Sequence, residues 1–380
     1  MHTQPPQQTP SIAGLLTKVV ELGGSDLSIK AGSRPAVRVD GKLRWLDEQA
    51  SELRVADMRA MLYEILPESR IADFEREHEA DFAYQIHHPA PTRFRVNAFL
   101  QRGSVSIVFR LVPDAIRSLD ELGLPEAVRA LAEEERGIVL ITGASGAGKS
   151  TTLAAMVEHI NTTMFKHVVT IEDPIEFTYR DKCSIIEQRE IGSDTSSFEG
   201  AMRRVLRQDP DVILIGEMRD EVTVRTALAA AETGHLVLST LHTLDAPESI
   251  NRMLDFFPAA QHDQARAMIA ATLKGIVSQR LVPRADGTGR VAIAEVMTMT
   301  GRVNDHIRNP KKDGRLTDVI AQGAYYGMQT FDQALYALVQ SGEVALADAH
   351  RFATESHDLG LRLATRNNGE PRASALRIAE

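Results

Sequence analysis

Residues 141–152, "ITGASGAGKSTT", follow the apolar run "GIVL" and lead into "LAAMVEHI". Gly143 to Ser150 match G-x-x-x-x-G-K-[ST] in full, between a strand-like and a helix-like pattern, which is the setting this motif requires. Glycines let backbone N–H groups close around phosphate oxygens, and the helix that follows turns its positive end toward the anion. Ser145, Gly146, Ala147 and Gly148 are therefore expected to cradle phosphates. Lys149 is expected to reach the β- and γ-phosphates, Ser150 to bind Mg²⁺ and Thr151 to line the pocket. ATP with Mg²⁺ is the expected ligand, but such loops serve kinases, switches and motors alike, so the reaction must be read elsewhere.

Outward from this loop, "GIVLIT", "HVVTI", "DVILIG", "HLVLST" and "VAIAEVM" are continuous apolar runs separated by helical patterns. They predict an α/β domain with a largely parallel sheet buried on both faces. Beyond about residue 300, "LTDVIAQG", "FDQALYALVQSG" and "ALADAHRFA" predict C-terminal helices. Upstream the pattern differs. "IAGLLTKVVELG" has helical spacing, whereas "DLSIK", "PAVRVDGKLRWL", "DFAYQI", "RFRVNAFLQ" and "VSIVFRLV" read as short strands, with Asp40-Gly41 as a tight hairpin turn and two helices near residues 55–79. The expected organisation is a polar tail over 1–10, a smaller α+β domain over 11–112 and a linker with a turn of helix over 113–121. The phosphate-loop domain follows over 122–365, and a polar tail over 366–380.

The chain has 380 residues, beyond the size of one ordinary core, and 43% of them are hydrophobic, enough for a packed interior. A net charge of -9 argues against nucleic acid as a partner. The one cysteine, Cys183, can form neither an internal disulfide nor a Cys-pair zinc site, which fits a reducing compartment. No run approaches the roughly 20 apolar residues of a spanning helix. "MHTQPPQQTP" lacks the regions of a signal peptide, and a cytoplasmic location is expected.

Three further segments carry chemistry. In "RQDPDVILIGEMRD" the strand Val212 to Ile215 ends in Gly216-Glu217, where a carboxylate beside the phosphate loop can orient an attacking water. The alternative is a solvated acid paired with Arg219. "TIEDPIEF" places Glu172, Asp173 and Glu176 at another strand end. Alone they read as a charged loop; beside a phosphate loop they bring carboxylates toward Mg²⁺. "ETGHLVLSTLHT" brackets a strand with His235 before it and His242 after it, and His242 stands at the end where α/β folds bind ligands. In the first domain, alternation puts Phe94 and Val96 on one face of a strand and Arg93, Arg95 and Asn97 on the other, and likewise separates Arg110 from Ile107, Phe109 and Leu111. These arginines are either solvated or fingers that stabilise transferring phosphate charge.

"GSDLSIKAG", "PAVRVDGKL", "RFRVNAF", "GASGAGKSTTLAAM", "HVVTIEDPIEF", "LRQDPDVILIGEMRD", "AETGHLVLSTLHT" and "GMQTFDQAL", in this order, resemble the secretion ATPase superfamily, specifically the type IV pilus retraction ATPases (PilT family). The resemblance covers about residues 11–360 and includes Walker A, Asp box, atypical Walker B and His box. It implies a PAS-like N-terminal domain joined to a RecA-like ATPase domain, a ring-shaped homohexamer, and ATP held between the two domains. It also implies that Glu217 is the catalytic glutamate, that Glu176 belongs to the Asp box, and that His235 and His242 form the His box, with His235 at the nucleotide and His242 in the reaction. Arg95 and Arg110 would approach the phosphates. The implied partners are an inner-membrane platform protein, and a second retraction ATPase if the chain is an accessory subunit, at the inner face of the cytoplasmic membrane.

One cysteine and about 110 residues before the linker separate the chain from pilus-assembly and type II secretion ATPases, which carry a tetracysteine segment and a longer N-terminal region. At 301–309, "GRVNDHIRN" keeps only Val303, Ile307 and Arg308 of the "AIRNLIRE"-like helix of retraction ATPases. Retraction motor, accessory retraction subunit and assembly or secretion ATPase are thus the ordered readings. A small-molecule kinase would need a substrate lid, and a translocase a basic track.

Overall fold

The computed structural model describes residues 10–367 except 40, 88, 89, 114 and 310–313; side chains are described to residue 364. Most of both expected tails, and Asp40 of the expected hairpin turn, lie outside the described residues. The chain divides into two compact units: residues to 115 together with 172–179 and 189–197, and residues 116–171, 180–188 and 198 onward.

The first unit is built on an antiparallel sheet of β1 (Asp26–Lys30), β2 (Ala36–Val39), β3 (Lys42–Trp45), β4 (Glu79–Ile86), β5 (Thr92–Gln101) and β6 (Ser104–Leu111), ordered β3-β2-β1-β6-β5-β4. Strand alternation sorts β5 as expected: Phe94, Val96 and Ala98 are buried, and Arg93, Arg95 and Asn97 are half-buried on the other face. Helix Ile12–Glu21 lays Ile12, Leu15, Leu16 and Val19 into the core at helical spacing, and the Ser11 hydroxyl accepts from Gly14 N–H to cap it. Helices Val55–Ile65 and Glu68–Glu77 complete the unit, with Met58, Leu62 and Phe74 against Phe94 and Phe109.

The second unit carries a seven-stranded sheet of β7 (Gly137–Thr142), β8 (His167–Glu172), β9 (Ile185–Glu190), β10 (Val212–Ile215), β11 (Leu236–Leu241), β12 (Leu273–Pro283) and β13 (Arg290–Thr298), ordered β13-β12-β7-β11-β10-β8-β9. From β12 through β7, β11 and β10 to β8 the pairing is parallel, whereas β13 is antiparallel to β12. All residues of β7, β10 and β11 are buried, as a sheet covered by helices on both faces requires. Helices Lys149–Thr163, Glu221–Glu232 and Ala246–Asp255 each follow a parallel strand. Gly301–Arg308, Leu316–Ala321, Phe331–Gln340, Leu346–Phe352 and Ser356–Asn367 form the C-terminal helices.

Two strands escape the sequence reading. In "LKGIVSQRLVP" the apolar run of β12 is broken by Ser278, Gln279 and Arg280, yet Ser278 and Gln279 are buried because each is hydrogen-bonded. Thr142 Oγ1 donates to Ser278 Oγ at 2.8 Å, and Gln279 Nε2 donates to Thr152 Oγ1 at 2.9 Å. β9, "IIEQRE", is a charged edge strand with no continuous apolar run. Within 115–125 no helix forms, but Leu122 N–H donates to Ser118 O at 3.1 Å and Gly123 N–H to Asp120 O at 3.0 Å, which makes a turn.

Glu295 on β13 is buried, and its Oε1 accepts from Ala246 N–H at 2.9 Å, bonding the first turn of helix Ala246–Asp255. Burial pushes this carboxyl up to about 7 against the opposing pull of the Ala246 N–H; Asp245 adds to the rise and Arg280 resists it. The folded chain thus holds the proton more tightly than the unfolded chain. The contribution is complete below the ordinary pKa of 4.5 and is lost as pH rises through about 7. Glu295→Gln should remove this dependence: in denaturant titrations from pH 5 to 8, the wild type should lose about 2–3 kcal/mol more than the variant. Parallel stability curves would contradict it.

Candidate functional site

In the second unit, β7 delivers the chain to a loop with three glycines at positive φ, Gly143, Gly146 and Gly148. Gly143 has φ +143°, and a β-carbon there would lie 2.6 Å from Gln279 O. Gly148, at φ +94°, turns the chain into the 15-residue helix that begins at Lys149. Ala147 N–H donates to Ala144 O at 3.1 Å, closing the loop on itself. Ala144, Ser145 and Gly146 are exposed, Ala147 and Lys149 are buried, and Gly148, Ser150 and Thr151 are half-buried at the helix start. The Lys149 ammonium donates to Gly143 O at 2.9 Å and Ala144 O at 3.1 Å. It folds over the loop's own carbonyls, where phosphate oxygens can replace them.

The neighbouring strand ends bring two more groups to this lysine. His242 Nδ1 lies 3.5 Å from Lys149 Nζ, and its Nε2 lies 3.4 Å from Glu217 Oε1. The imidazole therefore bridges the cation and the carboxylate. With Lys149 donating to Nδ1, the Nε2–H faces Glu217. Glu217 Oε2 also accepts from Arg219 Nε at 2.8 Å, the ion pair that the sequence offers as the alternative to water orientation.

Ser239 and Thr240, which the sequence reading passed over, hold this end of the sheet. Their hydroxyls donate to Ile215 O and Gly216 O, both at 2.8 Å, and Met218 N–H returns to Thr240 O at 3.2 Å. Glu217 is thereby pinned between two bonded neighbours. Polar residues inside the otherwise apolar run "LVLSTL" were the available signal.

His235 is placed differently. Its Nδ1 lies 2.9 Å from Ala230 O and 3.2 Å from Thr233 Oγ1 at the start of β11. Leu236 pairs with Gly137 and Leu241 with Thr142, so His235 stands at the opposite strand end from the phosphate loop, roughly 17 Å along the strand. The nucleotide contact expected of His235 is not made with this chain's own loop: parallel strands put their starts and ends on opposite edges, and only the ends carry the loop.

In the first unit, Arg95 on β5 and Arg110 on β6 are direct cross-strand partners. Arg110 Nε donates to Asp26 Oδ1 at 2.8 Å, and Ser25 Oγ donates to Asp26 Oδ2 at 2.7 Å. Burial alone would push the Asp26 carboxyl up, but Ser25, Arg110 and Arg38 together hold it below its ordinary value. Arg95 Nη1 lies 3.7 Å from Glu176 Oε1. Glu176 N–H points at Glu172 Oε2 at 3.4 Å, and Glu172, buried, accepts Ile191 N–H on its carbonyl at 2.9 Å. Arg95, Glu172 and Glu176 are thus gathered within one unit.

Among the described residues, no three His, Cys, Asp or Glu side chains form a metal cage. Mg²⁺ that arrives with phosphates keeps several waters and takes few protein ligands. The Ser150 hydroxyl, in the first turn after Lys149, is suited to be one.

The profile of the family described as Type II/IV secretion system protein matches residues 8–351. The type IV pilus retraction ATPase PilT of Pseudomonas aeruginosa is 42% identical over 342 residues, covering 90% of this chain and 98% of that protein. The type IV pilus ATPase PilU of the same organism is 43% identical over 349 residues, covering 92% of this chain and 90% of the relative. The crystal structure of the pilus retraction motor PilT with bound ADP superposes with a TM-score of 0.85 at 40% identity, covering 93% of this chain and 99% of that one. With the profile matched over most of its length and these relatives aligned nearly end to end, the chain belongs to the type II/IV secretion system protein family.

Proposed function

We propose that this chain is an ATP-hydrolysing motor that powers type IV pilus retraction. The observation that carries the reading is the Lys149–His242–Glu217 constellation at the ends of adjacent parallel strands, in a chain similar almost throughout to a retraction ATPase. ATP phosphates occupy the loop Ser145 to Gly148, and Lys149 exchanges the carbonyls of Gly143 and Ala144 for phosphate oxygens. Ser150 and Glu172 serve Mg²⁺, which neutralises phosphate charge when bound. Glu217 orients the attacking water. His242, between Lys149 and Glu217, couples the state of the phosphate end to that carboxylate. Glu176 belongs to the same reaction, and Arg95 and Arg110 stabilise transferring charge.

The working assembly is a homohexamer, and its partner an inner-membrane platform protein, with the ring peripheral at the inner face of the cytoplasmic membrane. Among the described residues no helix is long and apolar enough to cross a membrane, so contact with that face would run through such a protein. A second reading rests on near-equal identity to PilT and PilU: the chain serves as an accessory retraction ATPase beside another motor.

Lys149→Ala should abolish nucleotide binding, because the loop loses the cation that faces phosphate. Glu217→Gln should retain ATP while phosphate release falls by about a hundredfold or more. Equal binding loss in both variants would refute these roles. Arg95→Ala and Arg110→Ala should each lower turnover by about tenfold or more with nucleotide affinity nearly unchanged. Turnover unaltered in both would remove the first unit's arginines from the reaction.

A further inference from the structure

Glu190 is 2% exposed, and every polar atom it presents is engaged within the first unit. Its Oε2 accepts from Arg93 Nη2 at 2.7 Å and from Ile175 N–H at 3.1 Å, and its Oε1 accepts from Ser193 Oγ at 3.3 Å. The backbone around it is closed as well. Glu190 N–H donates to Asp194 Oδ2 at 2.8 Å, Glu190 O accepts from Asp194 N–H at 2.9 Å, and Ile191 N–H donates to Glu172 O at 2.9 Å. Residues 189–197 and 172–179, distant in sequence, are thus tied to each other through one residue and its neighbour.

A buried carboxylate is retained only where its charge is matched. Here the matching group is Arg93, whose side chain is 21% exposed and stands two residues from Arg95 on the same face of β5. The amide that Glu190 holds belongs to Ile175, the residue immediately before Glu176. Glu190 therefore fixes the Pro174–Ile175 peptide, one residue before Glu176, and Arg93 fixes Glu190 to the strand that carries Arg95.

We propose that Glu190, held by Arg93, is a positioning residue for Glu176, setting it in register with Arg95. The inference rests on the ATP-hydrolysing reading above. It deepens that reading by adding two residues that touch neither nucleotide nor metal in their role.

The test uses the full-length wild type, Glu190→Gln, Glu176→Gln and the double variant. Glu190→Gln keeps an acceptor for Ile175 N–H but removes the charge that Arg93 matches. Its kcat should fall about tenfold with the KM for ATP within about twofold of wild type, as expected for misplaced rather than missing groups. Amide exchange at Ile175 and Glu176 should rise while helix Lys149–Thr163 keeps its protection. In the Glu176→Gln background, Glu190→Gln should cause no further loss, because it acts through Glu176.

Should Glu190→Gln fail to fold, Arg93→Gln, which removes the charge that matches Glu190, carries the same expectations. Unchanged kcat in a folded variant, unchanged exchange at Ile175, or a full additional loss in the Glu176→Gln background would overturn the proposal. A wild type that binds ATP without turning it over would overturn the hydrolytic reading instead, and the exchange measurement would still decide the positioning role.

Discussion

The backbone of β12 passes so close beneath the phosphate loop that no side chain fits at Gly143: a β-carbon there would meet Gln279 O at 2.6 Å. That contact sets the height at which the chain leaves β7, and the rest of the site follows from it. The loop turns back through Gly148 into a helix whose first residue is Lys149. The β12 side chains that make the approach tolerable are polar and each makes a buried hydrogen bond, Ser278 with Thr142 below the loop and Gln279 through its Nε2 with Thr152 on the helix after it, while Gln279 Oε1 is buried without a partner. A buried polar pair costs little when satisfied and specifies position better than an apolar contact, so β12 serves as a template for the loop.

The charged groups divide into anchors and exchangeable pairs. Arg95 and Glu176 are 40% and 45% exposed and 3.7 Å apart, so their pairing is worth at most about 1 kcal/mol and is readily exchanged. Glu217 likewise shares its oxygens with Arg219 and His242. Arg93 and Glu190 are of the opposite kind. Their short contact is buried, and breaking it would strand a charge away from water. Exchangeable pairs thus lie at the groups that chemistry must move, and fixed ones lie just behind them.

The phosphate loop was legible because its motif is local, with spacing, glycines and flanking periodicity all within a few turns of chain. The alternation of β5 and β6 was equally plain, since Phe94, Val96 and Phe109 mark the buried face without help from distant residues. β12 was not legible, because the partners that let Ser278 and Gln279 be buried lie more than a hundred residues away in sequence. His235 shows the same limit in another form. The strand direction already set His242 apart from His235 in sequence, but only the parallel pairing shows that His235 stands at the far edge from the loop. Glu190 looked like one acid in a charged edge strand, and only folding reveals the Ile175 amide on which it acts.

The central claim, that ATP hydrolysis by this chain drives pilus retraction, is tested most directly by watching individual pili shorten in cells that lack the chain's own gene and every other retraction ATPase. Those cells are supplied with either the wild-type chain or Glu217→Gln. The account predicts shortening and surface motility with the wild type and neither with the variant. Shortening with both, or with neither, would contradict it: the first would mean that retraction does not need hydrolysis at Glu217, and the second that this chain alone does not power retraction.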